Sequence, residues 1–338
     1  MSPELEQLLA RHLPVLHVGK VRNTYRLEGQ YMGRPLRLSV KTNRWSIFDF
    51  KLGTPNSGQA EILNAFDIAA RLHLHKVASD IATDLVAYGP GVDKFVPHEL
   101  HDNPELQCIS TVIEGLGMVL AECVGRNYAT GTFYKAYREA KGRPVWGHQV
   151  PPNLPEGFAF TEPIFTPTTK AQDGHDEPLN HQWFRDRYGP LFEPMTLRTL
   201  SIFTELAQKG GVMLVDSKFE LGRRIMARKY LAGEGRLMLA DEVVTPHSSR
   251  FWLASEYRAA YPARIPPSMD KQAGREWGKA MGIDRLDPKN SDDQRAVFEM
   301  QVPLEVMEKM NERAATAFSL IYGKTVQQFQ RQSISVAI

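Results

Sequence analysis

The chain has 338 residues and a mass of 38.2 kDa, enough for two or three packed units around a sizeable core. A hydrophobic share of 42% and a charged share of 24% are ordinary for a soluble globular protein, and a net charge of +2 gives no footing for life on nucleic acid or on an anionic membrane. Cys108 and Cys123 are the only cysteines, which excludes a disulfide scaffold or a cysteine-built zinc site and suits a reducing cytoplasm. The opening Met1-Ser2-Pro3-Glu4-Leu5-Glu6 has no basic region ahead of an apolar core, and no run approaches the roughly 18 apolar residues of a membrane helix. A cytoplasmic protein is expected.

In chain order, a short helix is expected around residues 4–12. Val18-Gly19-Lys20-Val21-Arg22-Asn23-Thr24-Tyr25 then reads as strand, glycine turn and strand, with Lys20 and Arg22 alternating onto one face. A glycine beside two cations suits an exposed basic hairpin as well as a cover over nucleotide phosphates. Residues 36–41 read as a strand, followed by Thr42-Asn43-Arg44-Trp45-Ser46-Ile47-Phe48-Asp49. Ile62, Leu63, Phe66, Ile68, Ala69 and Leu72 carry helical spacing over residues 60–78. His73 and His75 lie two apart at its end, so they share no helix face and fit helix-end solvation better than metal binding. Segments 84–88 and 109–118 complete a β-rich N-terminal unit, residues 1–118.

A second unit, residues 119–265, opens on a strand that carries Arg126. Thr132 follows a glycine at the start of a helix reaching about residue 140, and an arginine with a hydroxyl at a helix start suits an oxyanion or phosphate grip. A proline-rich loop covers residues 142–162. Gly174-His175-Asp176-Glu177 reads as a polar loop, because its spacing fits no zinc pattern. An amphipathic helix over 195–208 stops at Gly210 and Gly211.

The strand after those glycines, Val212-Met213-Leu214-Val215-Asp216-Ser217-Lys218-Phe219-Glu220-Leu221, turns from apolar to charged without losing its strand character. Side chains alternate along a strand, so Asp216, Lys218 and Glu220 share one face. Residues 237–244 repeat the transition and reach Asp241 and Glu242, and then Thr245-Pro246-His247-Ser248-Ser249-Arg250. Paired as a hairpin, the two strands gather hard oxygen ligands beside a lysine, as Mg²⁺ on a nucleotide requires. A solvated strand face accounts for the same pattern, but two apolar strands that turn acidic at the same end favour a metal. Residues 266–338 are helical, over 272–281 and 304–321, and are expected to pack on the catalytic unit. Gly323-Lys324-Thr325 imitates the end of a phosphate-binding loop, but Phe318 stands where that motif needs glycine.

Several of these stretches together resemble the SAICAR synthase family of purine-pathway ligases. They are Gly19-Lys20-Val21-Arg22, Ser46-Ile47-Phe48-Asp49, Glu122-Cys123-Val124-Gly125-Arg126, residues 164–177, 216–222 and 239–252, and Asp270-Lys271-Gln272, all in the family's order. The resemblance implies an α+β fold with a small β-rich domain over a larger ATP-grasp-like domain. It also implies an ATP-dependent amide ligation, in which a carboxyaminoimidazole ribonucleotide is phosphorylated on its carboxylate and joined to L-aspartate. Carried over by position, Lys20 and Arg22 lie on the ATP phosphates, and Glu220 and Asp241 hold the ATP-linked Mg²⁺. Asp216 and Lys218 face the reacting carboxylate, Asp216 as a ligand if a second Mg²⁺ binds. Arg126, Thr132 and Arg250 bind the ribonucleotide, the arginines at its 5′-phosphate.

The sequence departs from the family pattern at Asn43 and His247, where aspartates are usual, at Asn23, where aspartate is common, and at Gln59, where lysine is common. Asn43 and His247 belong to the acceptor pocket by position, and losing two carboxylates there changes which groups the pocket can hold. The segment 223–235 is also longer than usual and carries Arg223, Arg224, Arg228 and Lys229. Three readings follow: the family's own ligase with tolerated substitutions; a paralogue joining another acid or amine, for example in nucleoside natural product biosynthesis; or a nucleotide-binding protein without turnover. Intact Lys20, Asp216, Lys218, Glu220 and Asp241 argue against the last.

Overall fold

A computed structural model describes residues 1–52, 57–170, 176–225, 235–269 and 271–335. Two antiparallel sheets dominate it. The first has five strands in the order Val15–Val18, Arg22–Tyr31, Arg34–Lys41, Ser110–Glu114 and Leu85–Tyr88. The second is built on Val212–Arg224, a strand of 13 residues long enough to serve four neighbours. Its first half pairs with Ser249–Leu253, its middle with Ala121–Ala129, and its last residues with Leu237–Ala240 and Leu116–Met118. A one-residue bulge between Leu214 and Asp216 marks where the apolar half gives way to the charged half.

Residues 109–118, read from sequence as one segment of the β-rich N-terminal unit, divide between the sheets. Ser110–Glu114 closes into the first sheet and Leu116–Met118 into the second, with Gly115 between them. Residues 82–84 make a second tie: Leu239 N–H donates to Ala82 O at 2.8 Å, Asp84 N–H to Leu239 O at 3.1 Å, and Glu114 N–H to Asp84 O at 2.7 Å. The edge of Leu237–Ala240 is thereby covered by backbone from the N-terminal unit.

The helix Gln59–Val77 is buried on most sides, as its wide apolar stripe requires. Phe66, at its centre, meets Phe251 of the second sheet at 6.1 Å and Phe318 of the C-terminal helix Leu304–Tyr322 at 5.1 Å. The C-terminal segment, expected on the catalytic unit, also covers the short hairpin of Trp45–Ile47 and Phe50–Leu52. Trp45, Ile47, Phe50 and Leu52 form one buried cluster with Ile283, Val297, Val302 and Met310. Gly323 ends the helix Leu304–Tyr322 with φ +68°, and Thr325 caps the next turn, so the Gly-Lys-Thr triplet serves helix ends.

At Gly210 the body of the fold packs directly against the backbone of the C-terminal helix. A Cβ there would lie 1.9 Å from the Leu320 carbonyl oxygen, and backbone cannot swing aside as a flexible side chain can. Gly210→Ala is therefore expected to cost about 3 kcal/mol, the upper range for overpacking. Denaturant unfolding checks this, and a loss under about 0.5 kcal/mol, the size of an ordinary surface change, would contradict it.

Candidate functional site

The charged half of the long strand sets the site. Asp216, Lys218 and Glu220 lie at alternate positions, and each meets a partner from another segment. Arg126 Nη1 donates to Asp216 Oδ2 at 2.9 Å, with Arg250 Nη1 at 3.4 Å from the same oxygen. Lys218 pairs with Glu122 of the neighbouring strand, and Glu220 with Lys170. One residue beyond the Glu220–Ala240 register pair, Asp241 meets Arg22. Charges of opposite sign thus alternate along the strand, from two arginines at one end to two carboxylates at the other.

Burial sharpens this row. It works against ionisation of Glu220, but Lys170 and Arg22 outweigh it and hold that carboxyl below its ordinary range. Glu122 goes the other way, pushed up to about 7 by burial that Lys218 only partly offsets. Burial also disfavours the Lys218 charge, yet Glu122 and Glu220 hold its pKa above the ordinary value. In that pair the lysine keeps its proton and the carboxyl is the member that titrates.

At the arginine end, Arg126 is 5% exposed and also donates from Nε to Thr166 Oγ1 at 2.8 Å and from Nη2 to Thr132 Oγ1 at 3.1 Å. Thr132 opens the helix Gly131–Ala140. Gly131 has φ +57°, and a Cβ there would sit 2.8 Å from Arg250 Nη1, so glycine is what lets that arginine lie against the helix start. Two guanidinium groups, a hydroxyl and a helix N-terminus converge, which is what a phosphate monoester takes.

The N-terminal hairpin supplies the opposite end. Gly19 N–H donates to Arg22 O at 2.8 Å to close the turn. Lys20 and Arg22 part company: Lys20 Nζ is 2.5 Å from Asp49 Oδ1 on the short hairpin, while Arg22 reaches Asp241. Val15 and Val18 are about half exposed.

Three of the four departures from the family pattern gather around Arg44. Asn23 Oδ1 accepts from Arg44 Nη2 at 2.6 Å, Gln59 Nε2 donates to Arg44 O at 2.8 Å, and Asn43 Oδ1 accepts from Ala60 N–H at 3.1 Å in the first turn of Gln59–Val77. Asn43, expected in the acceptor pocket, spends its side-chain oxygen on that helix start. The fourth departure, His247, packs its ring on Trp45 with centroids 5.2 Å apart, and its buried Nε2 has no hydrogen-bond partner among the described residues. Burial first, then Lys271, bring its pKa down to about 3, so this histidine is neutral.

A depressed histidine pKa means that the unfolded chain binds the proton more readily, so its contribution is present above about pH 6.5 and is lost as pH falls toward 3. His247→Asn is therefore expected to flatten the acid side of the stability profile. Between pH 6.5 and 5.5 the parent should lose about 1 kcal/mol more than the variant, in urea unfolding at both pH values. Parallel losses in the two proteins would contradict the assignment.

Among the described residues, no three Asp, Glu, His or Cys side chains gather closely enough to cage an ion by themselves. Glu220 and Asp241 nevertheless suit Mg²⁺, which takes one or two carboxylates and completes its shell with phosphate oxygens and water. Each already attracts a cationic side chain. Asp216, expected as a further ligand, is engaged by Arg126 and Arg250 instead. Lys170 and Thr166 were not singled out from sequence, because a partner some 50 residues away leaves no local signal. Gly174 and His175 of the polar tetrad, Asp270, and Arg228 and Lys229 of the long connection lie outside the described residues.

Two sheets carry this row of charges in an α+β fold, and the relatives of the chain make it an ATP-dependent ligase. The family model for SAICAR synthetase matches residues 15–287. The phosphoribosylaminoimidazole-succinocarboxamide synthase of Corynebacterium urealyticum is 34% identical over 331 residues, covering 96% of this chain and 97% of that one. That of Cupriavidus necator is 32% identical over 333 residues, covering 97% and 100%. The SAICAR synthase of Saccharomyces cerevisiae, solved with SAICAR, superposes with a TM-score of 0.73 at 25% identity over 93% of this chain and 96% of that one. The chain belongs to the SAICAR synthase family.

Proposed function

We propose that this chain is a carboxylate–amine ligase that joins a carboxyaminoimidazole ribonucleotide to L-aspartate at the expense of ATP, acting in the cytoplasm in purine synthesis. The observation that carries the reading is the order of charges along the long strand: a phosphate grip of Arg126, Arg250 and Thr132 at one end and the Glu220–Asp241 pair at the other. A ribonucleotide seated with its 5′-phosphate on the arginines directs its carboxylate along Asp216 and Lys218 toward the nucleotide end.

A carboxylate is a poor electrophile, so the γ-phosphoryl group of ATP is transferred to one of its oxygens, releasing ADP. The amine of aspartate then attacks the carbonyl carbon, the C–O bond to phosphate breaks, the nitrogen gives up a proton, and the amide forms. Lys218, held protonated, neutralises charge on the transferring phosphoryl group. Lys20 and Arg22 cover the ATP phosphates from the N-terminal hairpin. Glu220 and Asp241 would hold the Mg²⁺ that screens the β- and γ-phosphates when nucleotide is bound.

A second reading, in which the same activation serves a different acid or amine, is favoured by the neutral His247 and by Asn43, whose side-chain oxygen accepts the Ala60 N–H. ADP release separates the two. Aspartate-dependent turnover on carboxyaminoimidazole ribonucleotide, with rescue of a purine auxotroph, supports the first. Silence with that pair, but ADP release with another amine or acid, replaces it by the second.

A further inference from the structure

One buried cluster of charges takes no part in that row: Lys41, Asp67, Arg71, Asp84 and Glu242, none more than 7% exposed. Its centre is Arg71, on the helix Gln59–Val77. This guanidinium gives Nε to Asp67 Oδ1 at 2.9 Å, Nη1 to Asp84, and Nη2 to the backbone carbonyl of Asp241 at 2.6 Å. Asp67 Oδ1 also accepts the Val243 N–H at 3.0 Å. Lys41, from the first sheet, lies 3.2 Å from Glu242 Oε1, and Thr245 Oγ1 donates to the other oxygen of Glu242 at 2.7 Å. Residues 241, 242 and 243 are therefore each held by a side chain of the N-terminal unit.

The turn they form needs such holding. The strand Leu237–Ala240 ends one residue before Asp241, where the chain enters the left-handed region at φ +61°, and it does so again at Val244 with φ +52°. Aspartate tolerates that region, but a β-branched residue there is a rare conformer that persists only when its surroundings dictate it. Continued extension would carry Asp241 along the strand, away from Arg22. Arg71 reaches nothing outside the protein, and a buried guanidinium is costly unless all its arms are engaged. Here one of those arms ends on the backbone of a residue read as a metal ligand.

We infer that Arg71 and Asp67 are positioning residues for the divalent cation: they lock the 241–244 turn so that the Asp241 carboxylate is presented beside Glu220, without touching the ion themselves. This rests on the reading of Glu220 and Asp241 as the Mg²⁺ pair.

The test compares ADP binding by calorimetry in EDTA and in saturating Mg²⁺ for the full chain, Arg71→Lys, Asp67→Asn and Asp84→Asn. Lysine keeps the charge but cannot reach three acceptors at once. Arg71→Lys and Asp67→Asn should leave ADP affinity in EDTA within about twofold and shrink the Mg²⁺-linked gain at least about tenfold, with the Mg²⁺ concentration for half-maximal turnover rising in step. Asp84→Asn weakens the same buried cluster but touches neither the 241 carbonyl nor the 243 N–H. It should lower the melting temperature and leave the Mg²⁺-linked gain unchanged. A parent chain with no Mg²⁺-linked gain would remove the metal reading and this inference together. A normal gain in the parent that both turn-contacting variants retain, or that Asp84→Asn loses equally, would overturn this inference alone. If Arg71→Lys does not fold, Asp67→Asn decides.

Discussion

Glu220→Gln and Asp241→Asn are each expected to reduce kcat/KM by about a thousandfold or more, about 4 kcal/mol of transition-state stabilisation, while the protein stays folded. Both amides keep the shape of the carboxylate and can still accept a hydrogen bond, so the packing around the row survives. What they lose is the negative charge that draws a divalent ion to the end of the row. Glu220 is ionised at neutral pH because Lys170 and Arg22 overcome its burial, so Glu220→Gln removes a real charge and leaves Lys170, which is partly exposed, to water. Asp241 is separated from Glu220 by a single step of register, and among the described residues no third acid joins them closely enough to cage an ion. ADP release under saturating substrates, with circular dichroism of each variant, measures the effect. Turnover within tenfold of the parent in either variant would remove that carboxylate from the metal assignment.

Arg126→Met is expected to damage both stability and substrate affinity. Arg126 is the most enclosed cation of the row, and it holds Asp216, Thr166 and Thr132 at once. Burial and the neighbouring Arg250 both press against its charge, and Asp216 is what offsets them. Removing one partner of a buried pair costs about 3–5 kcal/mol when the other is left uncompensated. Arg250 still lies 3.4 Å from Asp216, so the lower end of about 3 kcal/mol is expected, seen as a fall of several degrees in melting temperature. Loss of one of two guanidinium groups on the 5′-phosphate should also raise KM for the ribonucleotide by about a hundredfold. Arg126→Lys separates the two effects, since it keeps charge beside Asp216 but loses the planar fork: most of the stability should return and less of the affinity. An unchanged KM in Arg126→Met would place the phosphate elsewhere.

The two outcomes also bear on the substitutions around Arg44. Asn23, Asn43 and Gln59 are neutral where the family favours charge, and in this chain they bond Arg44 and the helix Gln59–Val77. Arg44 lies 4.0 Å from the Glu6 carboxylate. At these positions the neutral side chains serve the placing of Arg44 and of the helix start.

Much of the site was legible in the chain itself. Alternation along residues 216–220 placed three charges on one face, because a strand admits only two directions for its side chains. The glycine between Val18 and Lys20 marked the hairpin, and Gly210 and Gly211 marked the end of a helix, since these backbone positions leave no room or no torsion for other residues. Partners were not legible. Lys170 for Glu220, Glu122 for Lys218 and Arg22 for Asp241 come from segments far apart in the chain, which strand register brings together for Glu122 and the packing of one sheet against the other for Arg22. Residues 237–244 illustrate the limit. Their apolar run with two valines reads as strand to the end, yet the chain turns at Asp241, because Arg71 and Asp67 on a distant helix supply the hydrogen bonds that a continued ladder would have supplied. Local periodicity is a property of successive residues and is written in the sequence. Which carboxylate meets which cation, and whether His247 carries a proton, depends on water being excluded by elements far apart along the chain, and only the assembled fold decides that.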